Sequence, residues 1–368
     1  MNNNIQIRTV IILITTYFQA AILHCIDKFD GQRSIFGIYH LLKGKKSSQT
    51  IQDGQLFGVS VFFALFPDVA RMNVEAAVQG LQKAGYIKKL GAEHHYQATV
   101  SGKDSLEQFY LENPLPADLD GWQFHSFTAV FWERFTLLVQ ALSNIVHGVK
   151  SFYPIQKNLN IQQWVKVFLK NENKDRSDLA VTLYEELVLL LEKRQPAERD
   201  IFVMKLTGSR RTGYTNEQIG RMLGIQPSDV RFLFAGTLHY IIKTVLANQD
   251  SYPLVSSLVR DLAGTEEMPL TNSAKVTLKY IKAGRQLSEI AQIRRLKIST
   301  IEDHIVEIAL CYKDFSIEPY VPEGLETAIT KIAEKLGTKQ LKEIKQHLKS
   351  TASYFQIRLV LAKMGDIA

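Results

Sequence analysis

"EIAQIRRLKISTIEDHI" occupies residues 289–305, and the way it folds decides what kind of molecule this chain is. Ile290, Ala291, Leu296, Ile298, Ile301 and Ile305 recur at helical spacing and would bury one side. Arg294, Arg295, Lys297, Ser299, Thr300 and His304 would then face outward, where phosphates could be met. A helix-turn-helix needs a small residue where its helices touch, a turn-tolerant residue four positions on, and an aliphatic anchor six beyond that. Ala291, Arg295 and Ile301 have this spacing. If the turn position requires a left-handed backbone, the side chain of Arg295 costs about 1 kcal/mol there. "STIE" (299–302) fits a capping box from Ser299 to Glu302, which predicts that the second helix begins at Ser299.

The same spacing occurs upstream. In "TNEQIGRMLGIQPSDVRFLFAGTL" (215–238) the three positions are Gly220, Gly224 and Val230, and Pro227 suits the start of the second helix. Arg210, Arg211 and Arg231 are its candidate DNA contacts. A third unit reads from "EAAVQGLQKAGYIKKLGAEHHYQATVSG" (75–102): a helix stopped by Gly85, then two short strands, the order of a winged helix. Lys83, Lys88 and Lys89 would lie near DNA, and "KGKKSSQT" (43–50) adds Lys43, Lys45 and Lys46 in a basic turn. That turn is not a phosphate-binding P-loop, because Tyr39 stands where its first glycine is required.

The fold expected is mainly α, with several helix-turn-helix units of which the first is winged. The Pro- and Asp-rich "LENPLPADLDG" (111–121) reads as a linker, and residues 247–273 as a second break. Three domains follow: a winged-helix-like domain at 1–110, a helical domain at 121–250, and a C-terminal helix-turn-helix domain at 271–368. No strand is expected between 122 and 250. Leu183, Leu187, Leu190 and Leu191 mark a core stripe there. "VIILITTYFQAAILHCI" (10–26) resembles a membrane span, but its length and its Thr15, Thr16, Gln19 and His24 favour a buried helix.

Composition narrows the function. The formal net charge is +7 and the pI about 9.1, and the excess concentrates at Lys275, Lys279, Lys282, Arg285, Arg294, Arg295 and Lys297 against the single acid Glu289. Such a stripe suits a polyanion. Cys25 and Cys311 form no CxxC pair, so neither a disulfide framework nor a zinc site is expected, and a reducing cytoplasm is the natural setting. No catalytic constellation emerges. His94 and His95 are adjacent and diverge on a strand, Ser47 and Ser48 lack a nucleophile-elbow context, and Glu185 and Glu186 read as solvated helix acids. A non-enzyme without cofactor, metal or small-molecule substrate is expected.

Three stretches carry a family resemblance: "IYHLLKGKKSSQTIQDGQLFGV", "FVMKLTGSRRTGYTNEQIGRMLG" and "TLKYIKAGRQLSEIAQIRRLKISTIEDHIVE". Together they resemble the YpbB family of bacterial helix-turn-helix proteins over nearly the whole chain. The middle stretch is similar to the fourth region of sigma factors. The last hundred residues resemble a unit appended to some RecQ-type helicases. The family pattern "IAxxRGLxxSTIxxHL" is matched at Ile290, Ala291, Arg294, Leu296, Ser299, Thr300, Ile301 and His304, with Arg295 in place of its glycine. The resemblance implies a DNA-binding accessory protein of a RecQ-like helicase in DNA repair or recombination. Docking would be electrostatic, with Ser299, Thr300 and His304 nearest the groove. Two other readings are a helicase-binding adaptor with no DNA contact of its own and a transcription regulator.

Overall fold

A computed structural model describes residues 14–263, 270–312, 314–337, 339, 341–348 and 351–364. Among them are twenty α-helices and one two-stranded hairpin. By contact the chain divides into two compact units: Met1–Tyr39 with Asp68–Leu115, and His40–Pro67 with Pro116–Ala368.

The first unit is built around α1 (Tyr17–Phe29). Thr16 caps its start by accepting from the Gln19 N–H, and Ala20, Ala21, Ile22, Leu23 and Ile26 are buried along it. The apolar run at its start is thus a core helix from Tyr17 onward; residues 10–13 lie outside the described residues. The unit boundary falls within α2 (Ile35–Lys43), and α3 (Ser48–Leu56) belongs to the second unit. The chain re-enters the first unit with α4 (Arg71–Lys83), β1 (Ile87–Lys89), β2 (Tyr96–Ala98) and α5 (Val100–Glu112). Gly85 takes a left-handed conformation (φ 77) and lets the Tyr86 N–H return to the Leu81 carbonyl, the expected helix stop. The strands pair antiparallel, Ile87 opposite Ala98 and Lys89 opposite Tyr96, and Ser34 bridges to His95. α1 packs on α4, β2 and α5. The helix-then-hairpin order is that of a winged helix.

The second unit begins, after α3, with α6 (Gly121–Phe124) and α7 (Thr128–Val146). Next come α8 (Leu159–Asn171), α9 (Arg176–Leu191) and α10 (Pro196–Met204). The first helix-turn-helix pair is α11 (Asn216–Leu223) with α12 (Pro227–Ala247), followed by the short α13 (Pro253–Ser257) and α14 (Arg260–Ala263). The C-terminal part holds α15 (Asn272–Lys282), α16 (Leu287–Arg294) and α17 (Ile298–Cys311). It closes with α18 (Glu323–Leu336), α19 (Leu341–His347) and α20 (Tyr354–Met364). Phe131, Phe135, Leu138, Leu183, Leu190, Phe202, Ile241 and Val245 share one core. α12 is long and apolar enough to cross a membrane, but that core claims much of it.

Two domain boundaries need correction. Residues 40–67 leave the expected 1–110 domain, because α3 bonds to α17: Ser48 Oγ donates to Glu307 Oε2 at 2.8 Å and Gln52 Nε2 to the Asp303 carbonyl at 3.2 Å. Residues 121–250 and 271–368 fall within one contact unit. The presumed linker 111–121 does contain a unit boundary, at Leu115/Pro116, but its second half is pinned. Asp118 accepts from Lys243 at 2.8 Å, and the Asp120 N–H donates to His239 Nδ1 at 3.1 Å. Glu186 is also not solvated: it is buried and its carboxylate receives the Leu254 and Val255 N–H groups at 2.9 and 2.8 Å, capping α13.

Candidate nucleic-acid interface

Both helix-turn-helix units form, and their turns are closed by the same bond. The Ile225 N–H reaches the Gly220 carbonyl at 3.0 Å, and the Leu296 N–H reaches the Ala291 carbonyl at 3.0 Å. Gly220 must be small, since a Cβ there would come within 2.7 Å of the Ile225 oxygen. Gly224 (φ 69) and Arg295 (φ 51) both take the left-handed turn conformation, and Val230 and Ile301 are fully buried anchors. Pro227 starts α12, as its missing N–H permits.

The units differ in what their second helix presents. On α12, Asp229 and Phe232 are buried, and the Phe232 ring sits 6.5 Å from Phe62 and 6.5 Å from Phe66. Arg231 is half-buried, and its charge, after burial itself, helps hold Lys205 down at about 8. Arg210 and Arg211 are exposed, with Arg211 stacked 5.3 Å from Tyr214. Arg210 and Arg211 thus stand in the loop before α11, and only the half-buried Arg231 lies on α12.

On α17 the first turn is open. The helix starts at Ile298, with Lys297 in the cap position and no side-chain cap. Ser299 is consequently inside the first turn and not the cap expected of it, because the backbone turns helical one residue earlier. Arg295, Lys297 and Ser299 are exposed and Thr300 is half-buried. Lys279, Lys282 and Arg285, at the end of α15 and the turn after it, are exposed as well, while Glu289 is the lone acid of 275–301. The N-terminus of the 14-residue α17 adds its own partial positive charge.

Two residues expected at the DNA point inward. His304 is 4% exposed, and its Nδ1 accepts from Thr277 Oγ1 at 2.9 Å. Arg294 donates in turn to Thr277 Oγ1, and also to the Ser273 carbonyl at 2.8 Å and Ser273 Oγ at 3.0 Å. Burial first, then the Arg294 charge, holds the His304 imidazole below its ordinary pKa, which keeps Nδ1 free to accept. The pair ties α15, α16 and α17 together and is committed to the fold.

Lys43, Lys45 and Lys46 are exposed before α3. The helix they precede is fixed through Ser48 to Glu307, ten residues and so about 15 Å along α17 from Lys297. Beneath α3, Glu307 is fully buried and also accepts from the Thr271 N–H at 2.5 Å and Thr271 Oγ1 at 3.2 Å. Arg358 on α20 binds Asp303 at 2.5 Å and Gln52 Oε1 at 3.2 Å. Sequence reasoning missed this polar clamp and also the exposure of Ile293 and Ile298. Cys25 and Cys311 are buried free thiols, and among the described residues no three His, Cys, Asp or Glu side chains are grouped to hold a metal.

A family model described as a helix-turn-helix domain matches residues 273–361, the region containing this tip. Protein YpbB of Bacillus subtilis (strain 168) is 34% identical over 349 residues, covering 94% of this chain and 97% of that protein. The chain belongs to the YpbB family. No solved structure matches it. In this YpbB-family chain the matched domain supports DNA binding, and the open, basic first turn of α17 is where the geometry offers it.

Proposed function

We propose that this YpbB-family protein is a cytoplasmic, non-enzymatic accessory of a RecQ-like helicase, acting on DNA during repair or recombination. The observation that carries the DNA part is the exposed tip of α16–α17, where Arg295, Lys297 and Ser299 meet a helix N-terminus. Cations and a helix N-terminus contact phosphates without reading sequence, and the first turn can reach base edges. Helicase partnership rests on the family resemblance and on the similarity of the C-terminal unit to one appended to such helicases.

The test is a salt titration of duplex DNA binding by the full chain. Arg295→Ala and Lys297→Ala should each lower the salt slope by roughly 0.9, one counterion per lost phosphate contact. A double variant that is folded and keeps the wild-type slope would remove the tip from the DNA. The adaptor reading has its own observation: Val181 and Tyr184, one turn apart on α9, and Leu189 further along it are exposed apolar side chains. If the slope is unchanged, and polar replacements at these three positions abolish helicase capture, the adaptor reading replaces this one.

A further inference from the structure

The tip of the C-terminal helix-turn-helix carries two side chains that neither the core nor phosphate binding explains. Ile293 and Ile298 are 50% and 52% exposed, one on each side of the turn 295–297. The core does not need them, since Ile290, Ile301 and Ile305 already fill it. Beside them in the sequence stand Arg295, Lys297 and Ser299, all exposed.

The rest of α17 limits how DNA can be met. From His304 to Ala309 every residue of the helix is buried, and it packs against α3, α15, α16 and α20. It cannot lie lengthwise in a major groove. Glu302 and Asp303, just behind the first turn, would oppose phosphates brought further along it. Only the tip can enter.

Exposed aliphatic side chains beside two cations have a specific use on a polyanion. Once Arg295 and Lys297 hold the backbone, the apolar side chains can cover the face of a base. Inside a continuous duplex those faces are occupied by stacked neighbours, and inserting a wedge means paying for unstacking. Where a duplex ends in a single strand, one face of the last pair is already open.

Resting on the DNA-binding reading above, we infer that the α16–α17 tip recognises the junction between duplex and single-stranded DNA. Ile293 and Ile298 cover the terminal base pair, while Arg295 and Lys297 hold the phosphates on either side. A protein partner would use the apolar side chains too, but Arg295 and Lys297 with a helix N-terminus suit a polyanion; the charge favours DNA.

The experiment measures fluorescence anisotropy of the full chain with a dumbbell duplex closed by loops at both ends, the same duplex opened at one end into a single-stranded arm, and the arm alone. The wild type should prefer the armed duplex about tenfold, as expected for burying about one aliphatic side chain. The Ile293→Ser/Ile298→Ser variant should lose that preference and keep its affinity and salt slope on the closed duplex. Both positions are exposed, so thermal melting should be unchanged; Ile298→Gln alone provides a milder variant with the same expected direction. A wild type without preference for the junction, or a folded variant that retains it, overturns the inference and leaves DNA binding intact. So does a variant whose DNA preference is unchanged while helicase capture is lost. Failure of the wild type to bind any probe at low salt instead sinks the DNA-binding reading itself.

Discussion

Arg295 sits at φ 51, ψ 42, in the turn slot that Gly224 fills at φ 69 in the other unit. An exposed arginine gains nothing from its own fold there, yet the left-handed backbone costs about 1 kcal/mol. Arg295→Gly should therefore raise the unfolding free energy by about 1 kcal/mol and, at the same time, weaken duplex binding. Chemical denaturation and the binding titration of one preparation check both halves; a variant that binds DNA as tightly as the parent would break the link between strain and contact. Spacing identified this position correctly, because four-and-six periodicity follows from helix geometry. The same rule should have warned against an outward His304. Ile301, His304, Ile305 and Ile308 lie at i, i+3, i+4 and i+7, the stripe that α17 buries. Polarity suggested solvent, but Thr277 at 2.9 Å and Arg294 at 3.3 Å supply the hydrogen bonds to Nδ1 that let an imidazole be buried.

At the scale of elements, the two helix-turn-helix pairs show how one local signal can serve two purposes. Gly220, Gly224, Pro227 and Val230 were legible because turn, helix start and anchor are set within a dozen residues. What covers α12 was not legible, since Phe62 and Phe66 come from a stretch more than 160 residues away in sequence. Roughly that separation leaves no trace in any local period. α12 thus works as a core helix, its Phe232 and Ile242 fully buried, while α17 keeps its first turn open. The consequence is measurable: Arg210→Ala/Arg211→Ala should leave the duplex salt slope unchanged, in contrast to the loss of roughly 0.9 per residue at Arg295 and Lys297. A drop of similar size at Arg210 and Arg211 would return the central unit to the DNA surface.

At the scale of the molecule, the C-terminal domain is not a contiguous piece of chain. Mainly helical architecture, the hairpin and the break near residue 115 all followed from patterning. The destination of α3 did not, because "SQTIQDGQL" has no apolar stripe to reveal that it is buried. Thr50, Gln52 and Asp53 are buried in it beside Ile51 and Leu56, and their place is set by partners such as Asp303, Glu307 and Arg358. A buried carboxylate that loses a donor costs about 1–3 kcal/mol. A fragment limited to residues 271–368 would leave Glu307 without its Ser48 donor and would expose the flank of α17 that α3 covers. We expect that fragment to unfold at lower denaturant concentration than the same region within the whole chain, and a tethered segment 40–67 to restore it. Ser48→Ala in the full chain should cost about 1–3 kcal/mol in the same direction. If the bare fragment is as stable as the region in the intact protein, α3 is an ornament on a complete domain. If it is not, residues 40–67, which interrupt the winged-helix stretch in sequence, supply a structural helix to the unit that carries the proposed DNA tip, and that unit cannot be cut out as 271–368 without losing it.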